Sequence, residues 1–548
     1  MKASPILSSG KKFLCKALSF LGIGLLLSAC QLPKDTIDAE VCIYGNSSAS
    51  LLAAIQLKKS GREVVIVSPD KYMGGMTIEG LGGSDINNHA GFKNDHVIGG
   101  MTLEFYKEVA RHYGIANFDS ARTDAKTWRF EPHVAKRIFD QWLEDYDIRV
   151  YRESRLRLAF DAVKKENQQL RSFETENGKI FRADLFIDAS YEGDLLHYAG
   201  VSTIVGREPN SLYQETRNGI RHSNTYRNFE VAVDPYVVPG NPESGLIHTI
   251  QDEALGAAGA GDQRIQAYCF RACLTKDTAN RVPFIKPENY KREWYEIYLR
   301  YLDAGGTLYK PSYSIPNNKT DLGAWHDLSH NLYGMNHEYP EGDYQKRQEI
   351  YQYHLDFTRG LFWFLANDPE VPVGVRREWS QWGTTKDEFT DNEGWPRMLY
   401  IRDGRRIQSD YVITEHHTRK DSSIFIEDPV AIAFWPPDVH HVRRIVKEGL
   451  AYNEGFVFGG ENWKPFQIPY RSLVPRKSET TNLLTPTCLS SSHIAYGAIR
   501  LEWTFMLLGE AVGIAADLCL ENKVAVQDLP YAALKAGLEE NGQIIGMR

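Results

Sequence analysis

The chain has 548 residues, 42% hydrophobic, 24% charged and 12% aromatic, which excludes disordered, collagen-like and coiled-coil classes and leaves length for about three units of 100–200 residues. Its formal net charge of -8 argues against the phosphate attraction that underlies nucleic-acid binding, so no nucleic-acid partner is expected. Seven cysteines are too sparse here for a disulfide framework.

Lys2, Lys11, Lys12 and Lys16 precede an apolar run over residues 17–28, followed by the small residue Ala29. This is the layout of a secretory signal, and the run is too short to span a ~30 Å hydrocarbon core. Leu27-Ser28-Ala29-Cys30 resembles the lipobox of bacterial lipoproteins. The resemblance implies removal of residues 1–29, a lipid on Cys30, and a protein held to the cell envelope through that lipid. An ordinary signal peptide with an incidental cysteine is the other reading. Cys42, Cys269, Cys273, Cys488 and Cys519 then remain, and burial as small hydrophobes is expected for the Cys269 and Cys273 pair rather than a bridge.

Residues 40–44 are β-prone and run straight into Gly45. Residues 51–60 have helical periodicity with lysines in the last turn, Gly61 stops them, and residues 63–67 form a second strand. Strand, tight turn, helix and strand within thirty residues predict a dinucleotide-binding βαβ unit, with a pyrophosphate at the helix N-terminus. The predicted contacts are Gly45, Ser47, Ser48, Ala49 and Ser50. Only the first glycine of G-x-G-x-x-G survives, and Ser47 and Ser50 take the other two places, where a serine hydroxyl could donate to phosphate. Ser68 stands where a ribose-binding acid is expected, with Asp70 two residues later as a substitute. Alone, this opening is as compatible with an unrelated strand-turn-helix.

Further pieces follow in order: Gly74-Gly75-Met76-Thr77, the glycine-rich run to Gly83-Ser84-Asp85, Phe130-Glu131-Pro132-His133, residues 184–195 containing Asp188-Ala189-Ser190-Tyr191-Glu192-Gly193-Asp194, Gln266-Ala267-Tyr268 with Arg271 behind it, residues 466–473, and residues 488–513. Together they resemble a large FAD-dependent oxidoreductase family common among secreted and lipid-anchored bacterial proteins, some members of which carry a xanthan lyase label. The resemblance implies a glutathione-reductase-like, Rossmann-type α/β fold with FAD as cofactor. Gly74, Gly75 and Met76 would pass the flavin, and Ala189 would lie beneath the cofactor at the end of a returning strand. Between these, residues 148–160, 170–175 and 179–181 read as a β-meander. Residues 496–520 read as one helix containing Tyr496, Gly509 and Gly513, its N-terminus at the flavin pyrimidine edge. A buried helix closing the core fits the same residues.

From about Gly206 to Gly460 the βαβ rhythm disappears. The expected division is a leader over 1–29, FAD-binding segments over 30–205 and 461–548, and an inserted α+β substrate domain over 206–460. This insertion is rich in Tyr, Trp and His, which suits a small-molecule substrate, carbohydrate among the candidates. Arg271 and Arg405, the latter beside Arg402, Asp403 and Arg406, could orient a substrate carboxylate or form internal ion pairs. His440 and His441 match a histidine pair of the resembled family, and either could take a proton during hydride transfer. No His/Cys spacing suggests a metal. The expected activity is flavin-mediated hydride transfer, against two alternatives: a flavin-free binding lipoprotein, motivated by Ser47, Ser50 and Ser68, and a polysaccharide lyase. Oligomeric state and electron acceptor are not legible.

Overall fold

The computed structural model describes residues 35–223, 227–324, 326–460 and 462–547, so the leader and Cys30 lie outside the described residues. The chain opens with β1 (Thr36–Tyr44), α1 (Ser48–Lys59) and β2 (Val64–Val67). β1 and β2 pair in parallel, Val41 opposite Val64 and Tyr44 opposite Val67. Both strands are buried along this paired stretch, as expected of a parallel layer covered on both faces. The chain crosses through α2 (Gly100–His112) and α3 (Pro132–Asp145) to β3 (Arg149–Tyr151), which adds in parallel beyond β2. Pro132 opens α3 at a position where its missing N–H costs nothing.

A meander follows: β4 (Val163–Glu166), β5 (Gln169–Glu174) and the long β6 (Ile180–Asp188). β6 belongs to two arrangements at once. Along one side it runs parallel to β1, Ile187 opposite Ile43; along the other its first half pairs antiparallel with β5, and its second half takes β7 (Leu483–Leu484) in parallel. The parallel layer therefore has the order β3-β2-β1-β6-β7, with the meander fused onto it. Strand order reverses between β1 and β6, and open α/β sheets bind ligands outside such a switch point.

Between β6 and β7 the chain forms short antiparallel pairs, among them Arg443–Lys447 with Leu450–Glu454, and the 24-residue helix α4 (Tyr344–Asn367). After β7 come α5 (His493–Ile499) and α6 (Glu502–Asn522). The helix expected over residues 496–520 is thus broken. Leu501 is extended (φ -82°, ψ 140°), and Arg500 turns aside to donate to the Tyr400 hydroxyl and the Asp438 carbonyl. α6 has the length and mean hydropathy (1.5) of a membrane span, but 83% of that stretch is buried inside the protein, so it is a core helix. It runs alongside α1, with Gly509 against Ala49 and Gly513 against Ala53.

Candidate functional site

The turn after β1 has the geometry its first glycine predicts. Gly45 has φ +124°, and a Cβ there would lie 2.5 Å from the Ala189–Ser190 peptide, so only glycine fits. The serines spend their hydroxyls on the protein. Ser47 donates to the Ala189 carbonyl (2.6 Å) and caps α1 by accepting from the Ser50 N–H (3.3 Å); Ser50 donates back to the Ser47 carbonyl (2.7 Å). Ser48 donates to the Glu502 carboxylate (3.0 Å). None of the three is turned toward a ligand, which corrects the expectation of a serine–phosphate hydrogen bond. Ser68 is likewise fully buried and donates to the Asp70 carbonyl (2.7 Å).

A cleft of about 650 Å³ opens at the carboxyl ends of β1 and β2, with Asn46, Asp70, Gly75, Glu79, Arg155 and Arg397 on its walls. A narrower cavity of about 140 Å³ shares Asp70 and Arg155 and reaches Glu192 and Asp194 beyond β6. Asp70 is exposed to this space and accepts from the Asn46 amide (2.8 Å). An acid thus faces the cleft two residues beyond Ser68. The cleft has the features an adenosine diphosphate moiety needs: the Asp70 carboxylate for ribose hydroxyls, and Asn46 and Gly75, from the turn that precedes α1 and the segment paired with it, on its wall.

Gly74 and Gly75 meet that turn directly, the Gly74 N–H donating to the Asn46 carbonyl (2.7 Å). Gly75 has φ +53°, and a Cβ on it would reach the Tyr191 hydroxyl at 2.3 Å. Tyr191 accepts from the Met76 N–H (3.0 Å) and donates to Glu502 (2.8 Å), which also receives the Thr77 hydroxyl (3.0 Å). Glu502 is thus a buried carboxylate beside the N-terminal turn of α1, where an anion is stabilised by the helix dipole. Burial raises it to about 7 against its three hydroxyl donors. The sequence reading missed it. An acid opening an otherwise apolar helix was the available signal.

Three cofactor expectations are corrected. Gly509 and Gly513 serve packing: a Cβ would lie 2.4 Å from the Ala49 carbonyl oxygen and 2.8 Å from that of Ala53. Tyr496 is buried and donates to the Thr487 carbonyl (3.0 Å). The N-terminus of α5 is filled by the protein's own acids, the His493 N–H donating to Glu208 (3.0 Å) and the Ser492 hydroxyl to Glu215 (2.5 Å).

The expected catalytic residues separate. Arg405 is committed to Asp194 (2.8 Å) and Arg271 to Asp321 (2.6 Å). His440 and His441 are both buried but face different surroundings. His441 packs on Tyr333 and Phe456, and burial together with Arg444 holds it neutral, at about 3. His440 faces Arg402, Arg500 and Arg271; burial first, then these guanidinium groups, keep it neutral far below the usual histidine range. Arg402, Arg500 and Arg271 converge on the Tyr400 ring, at 4.8, 5.8 and 5.9 Å from its centroid. Arg402 also donates to Cys269 Sγ (3.1 Å). Burial pushes that thiol up, and Arg402 with a His330 hydrogen bond outweighs it, to about 6. Cys42, Cys269, Cys273, Cys488 and Cys519 are all free and buried.

Elsewhere, Glu131, His133 and Glu388 bring ligand-type atoms within 4.8 Å of one another. The fully buried Lys319 ammonium lies among these acids, 2.6 Å from Glu131 and 2.8 Å from both Glu388 and Asp387. It supplies the positive charge there.

A parallel layer, a glycine turn at its switch point and an acid-walled cleft at the strand ends define a dinucleotide-binding α/β protein. The profile of a family described as FAD dependent oxidoreductase matches residues 40–538, and the chain belongs to that family. Its fold is the Rossmann-type FAD-binding one. Among solved structures the chain is similar to L-proline dehydrogenase from P. horikoshii (15% identity, 32% of this chain and 59% of that one, TM-score 0.23). It is also similar to L-amino acid deaminase from Proteus vulgaris (16%, 32% and 53%, TM-score 0.23) and to T. acidophilum thioredoxin reductase (18%, 28% and 35%, TM-score 0.17). The chain thus spans between about a third and three fifths of these structures' lengths. No curated relative matches it.

Proposed function

We propose that this protein binds FAD in the cleft at the β1–β6 switch point and oxidises or reduces a small organic or carbohydrate-derived substrate between the sheet and the 206–460 insertion. The observation that carries the reading is the 650 Å³ cleft bounded by the α1 turn and the Asp70 carboxylate. Backbone of Asn46 to Ser48 would hold the pyrophosphate, Asp70 the ribose, and Gly75 the approach to the ring. When bound, FAD supplies a two-electron hydride acceptor or donor. The protein's own part is placement and proton handling. A neutral His440 can accept a proton from a substrate hydroxyl or amine, and the adjacent guanidinium groups stabilise negative charge left behind. Burial around Tyr191 and Tyr400 excludes water from that region.

Secretion and a lipid on Cys30 complete the proposal, resting on the leader sequence. Purified soluble protein, lacking residues 1–30, should be yellow with flavin absorption near ~450 nm and should bleach with a subset of hydroxy or amino compounds. A protein that stays colourless after incubation with FAD sinks the reading. It would favour a flavin-free binding protein, for which the resident Glu502 carboxylate beside the α1 turn is the motivating feature.

A further inference from the structure

The geometry points to a carboxylate-bearing substrate held by Arg402 and Arg500 over the face of Tyr400 beside His440. This deepens, and rests on, the flavin-site reading above. Arg402 is 1% exposed, yet among the described residues no carboxylate oxygen lies within 4 Å of it. Its partners are the Ala267 and Ala324 carbonyls, the Asn331 amide oxygen and Cys269 Sγ. A buried guanidinium without an anion is costly, so a fold that keeps one has a charge to receive. Around it, Arg271 pairs with Asp321 at 2.6 Å and Arg500 lies 3.7 Å from Asp438, and Asp85 faces Arg271, so the nearby carboxylates are directed at the other two guanidinium groups.

Two donors and one proton acceptor are also in place. Arg402 Nε, Arg500 Nε and His440 Nδ1 are buried and without a hydrogen-bond partner. A Cys269 thiolate would account for Arg402 Nη2 but would leave all three of these atoms unserved. A planar carboxylate takes two guanidinium N–H groups, and a neutral imidazole beside it can receive the proton of the adjoining carbon or heteroatom.

The loop that carries Asp85 beside this cluster is strained. Ser84, Asp85 and Asn87 all adopt left-handed φ values of 54°, 57° and 55°, conformations that non-glycine residues hold only when surroundings enforce them. Gly83 ties this loop to Asp321, the acid that also holds Arg271. Ser84 Oγ is buried and unpartnered, and the Asp438 side chain, 24% exposed, gives the cluster its connection to solvent. Of this loop, Asp85 faces the Tyr400 ring together with the three arginines.

The test uses the full mature chain loaded with FAD, titrated calorimetrically at constant ionic strength with propionate, with its uncharged isostere propionamide, and with inorganic phosphate. Propionate should bind saturably and propionamide should not. Arg402→Gln should weaken propionate about tenfold or more, and Arg402→Lys by less. Arg402→Gln leaves the buried Ala267 and Ala324 carbonyls short of a donor, so the deciding readout is propionate affinity measured where the variant is folded, which a merely structural arginine would leave intact. Arg500→Gln carries the same binding test if Arg402→Gln does not fold. Equal binding of propionate and propionamide, tighter binding of phosphate, or unchanged affinity in both variants would overturn the assignment. Colour in the same samples reads the flavin separately: a colourless protein that prefers propionate removes only the flavin, and a yellow one without preference removes only the anion site.

Discussion

Replacing Glu502 by glutamine tests the physical account of the dinucleotide turn. The carboxyl sits beside the first turn of α1, receives the Ser48, Thr77 and Tyr191 hydroxyls, and titrates near 7 instead of 4.5 because burial outweighs those donors. A raised carboxyl binds its proton more tightly in the folded than in the unfolded state. Its contribution to stability is therefore fully present below about 4.5 and is lost as pH rises through about 7, a swing of roughly 3 kcal/mol. Glutamine removes the charge but returns only part of the hydrogen bonding, so Glu502→Gln should gain about 1–2 kcal/mol over the parent at pH 8 and nothing at pH 5. A neighbouring phosphate adds a second effect. Two like charges at ~7 Å with an effective dielectric of ~20 repel by about 2 kcal/mol, so FAD should bind the parent more tightly at pH 6 than at pH 8. The variant should lose most of that pH dependence. Urea unfolding of the apoprotein and FAD titration by flavin fluorescence, both at pH 5, 6 and 8, read these out. A variant destabilised equally at every pH, with the parent's slope retained, would refute the reasoning.

Other expectations follow from the same contacts. Gly509→Ala places a Cβ 2.4 Å from the Ala49 carbonyl oxygen, between two helix backbones that cannot yield cheaply. It should cost about 1–3 kcal/mol in denaturant unfolding and weaken FAD binding, more than Gly513→Ala does. Asp70→Asn should raise the FAD dissociation constant about tenfold while leaving unfolding unchanged, since Asp70 is exposed to the cleft. His440→Gln should lower turnover by about 10²-fold or more with flavin content intact, whereas His441→Gln should cost less than tenfold in rapid-mixing assays. Equal losses in the two histidine variants would count against the assignment of the base.

The βαβ unit was legible because its signals are local: a β-prone run, one glycine, a helical period with terminal lysines, a second run. The return strand and the last two strands of the meander were legible for the same reason, but the meander's first strand, expected over 148–160, is Val163–Glu166, and Arg149–Tyr151 instead joins the parallel layer beside β2. What escaped was non-local. Ser48 looks like a phosphate ligand until its partner, 454 residues away, is known. Gly509 and Gly513 carry the spacing of a close approach, but the surface approached is α1 and not a ligand. Arg500 was hidden inside an apolar stretch whose period suggested one unbroken helix, and only the tertiary pull of Tyr400 and Asp438 explains the break. The arginine stretch was recognised, yet which member lacks a carboxylate is a matter of packing: Arg405 and Arg406 found acids, and Arg402 did not.

The serine turn has one more implication. A glycine loop of the usual type is loose without its nucleotide and must be ordered at the moment of capture, an entropic charge on affinity. Here Ser47 and Ser50 lash the loop to Ala189 and to itself, and Ser48 lashes it to α6. On the proposed reading the receptor is rigid beforehand, so a cofactor would arrive late, after the chain has folded, and still find its berth already shaped.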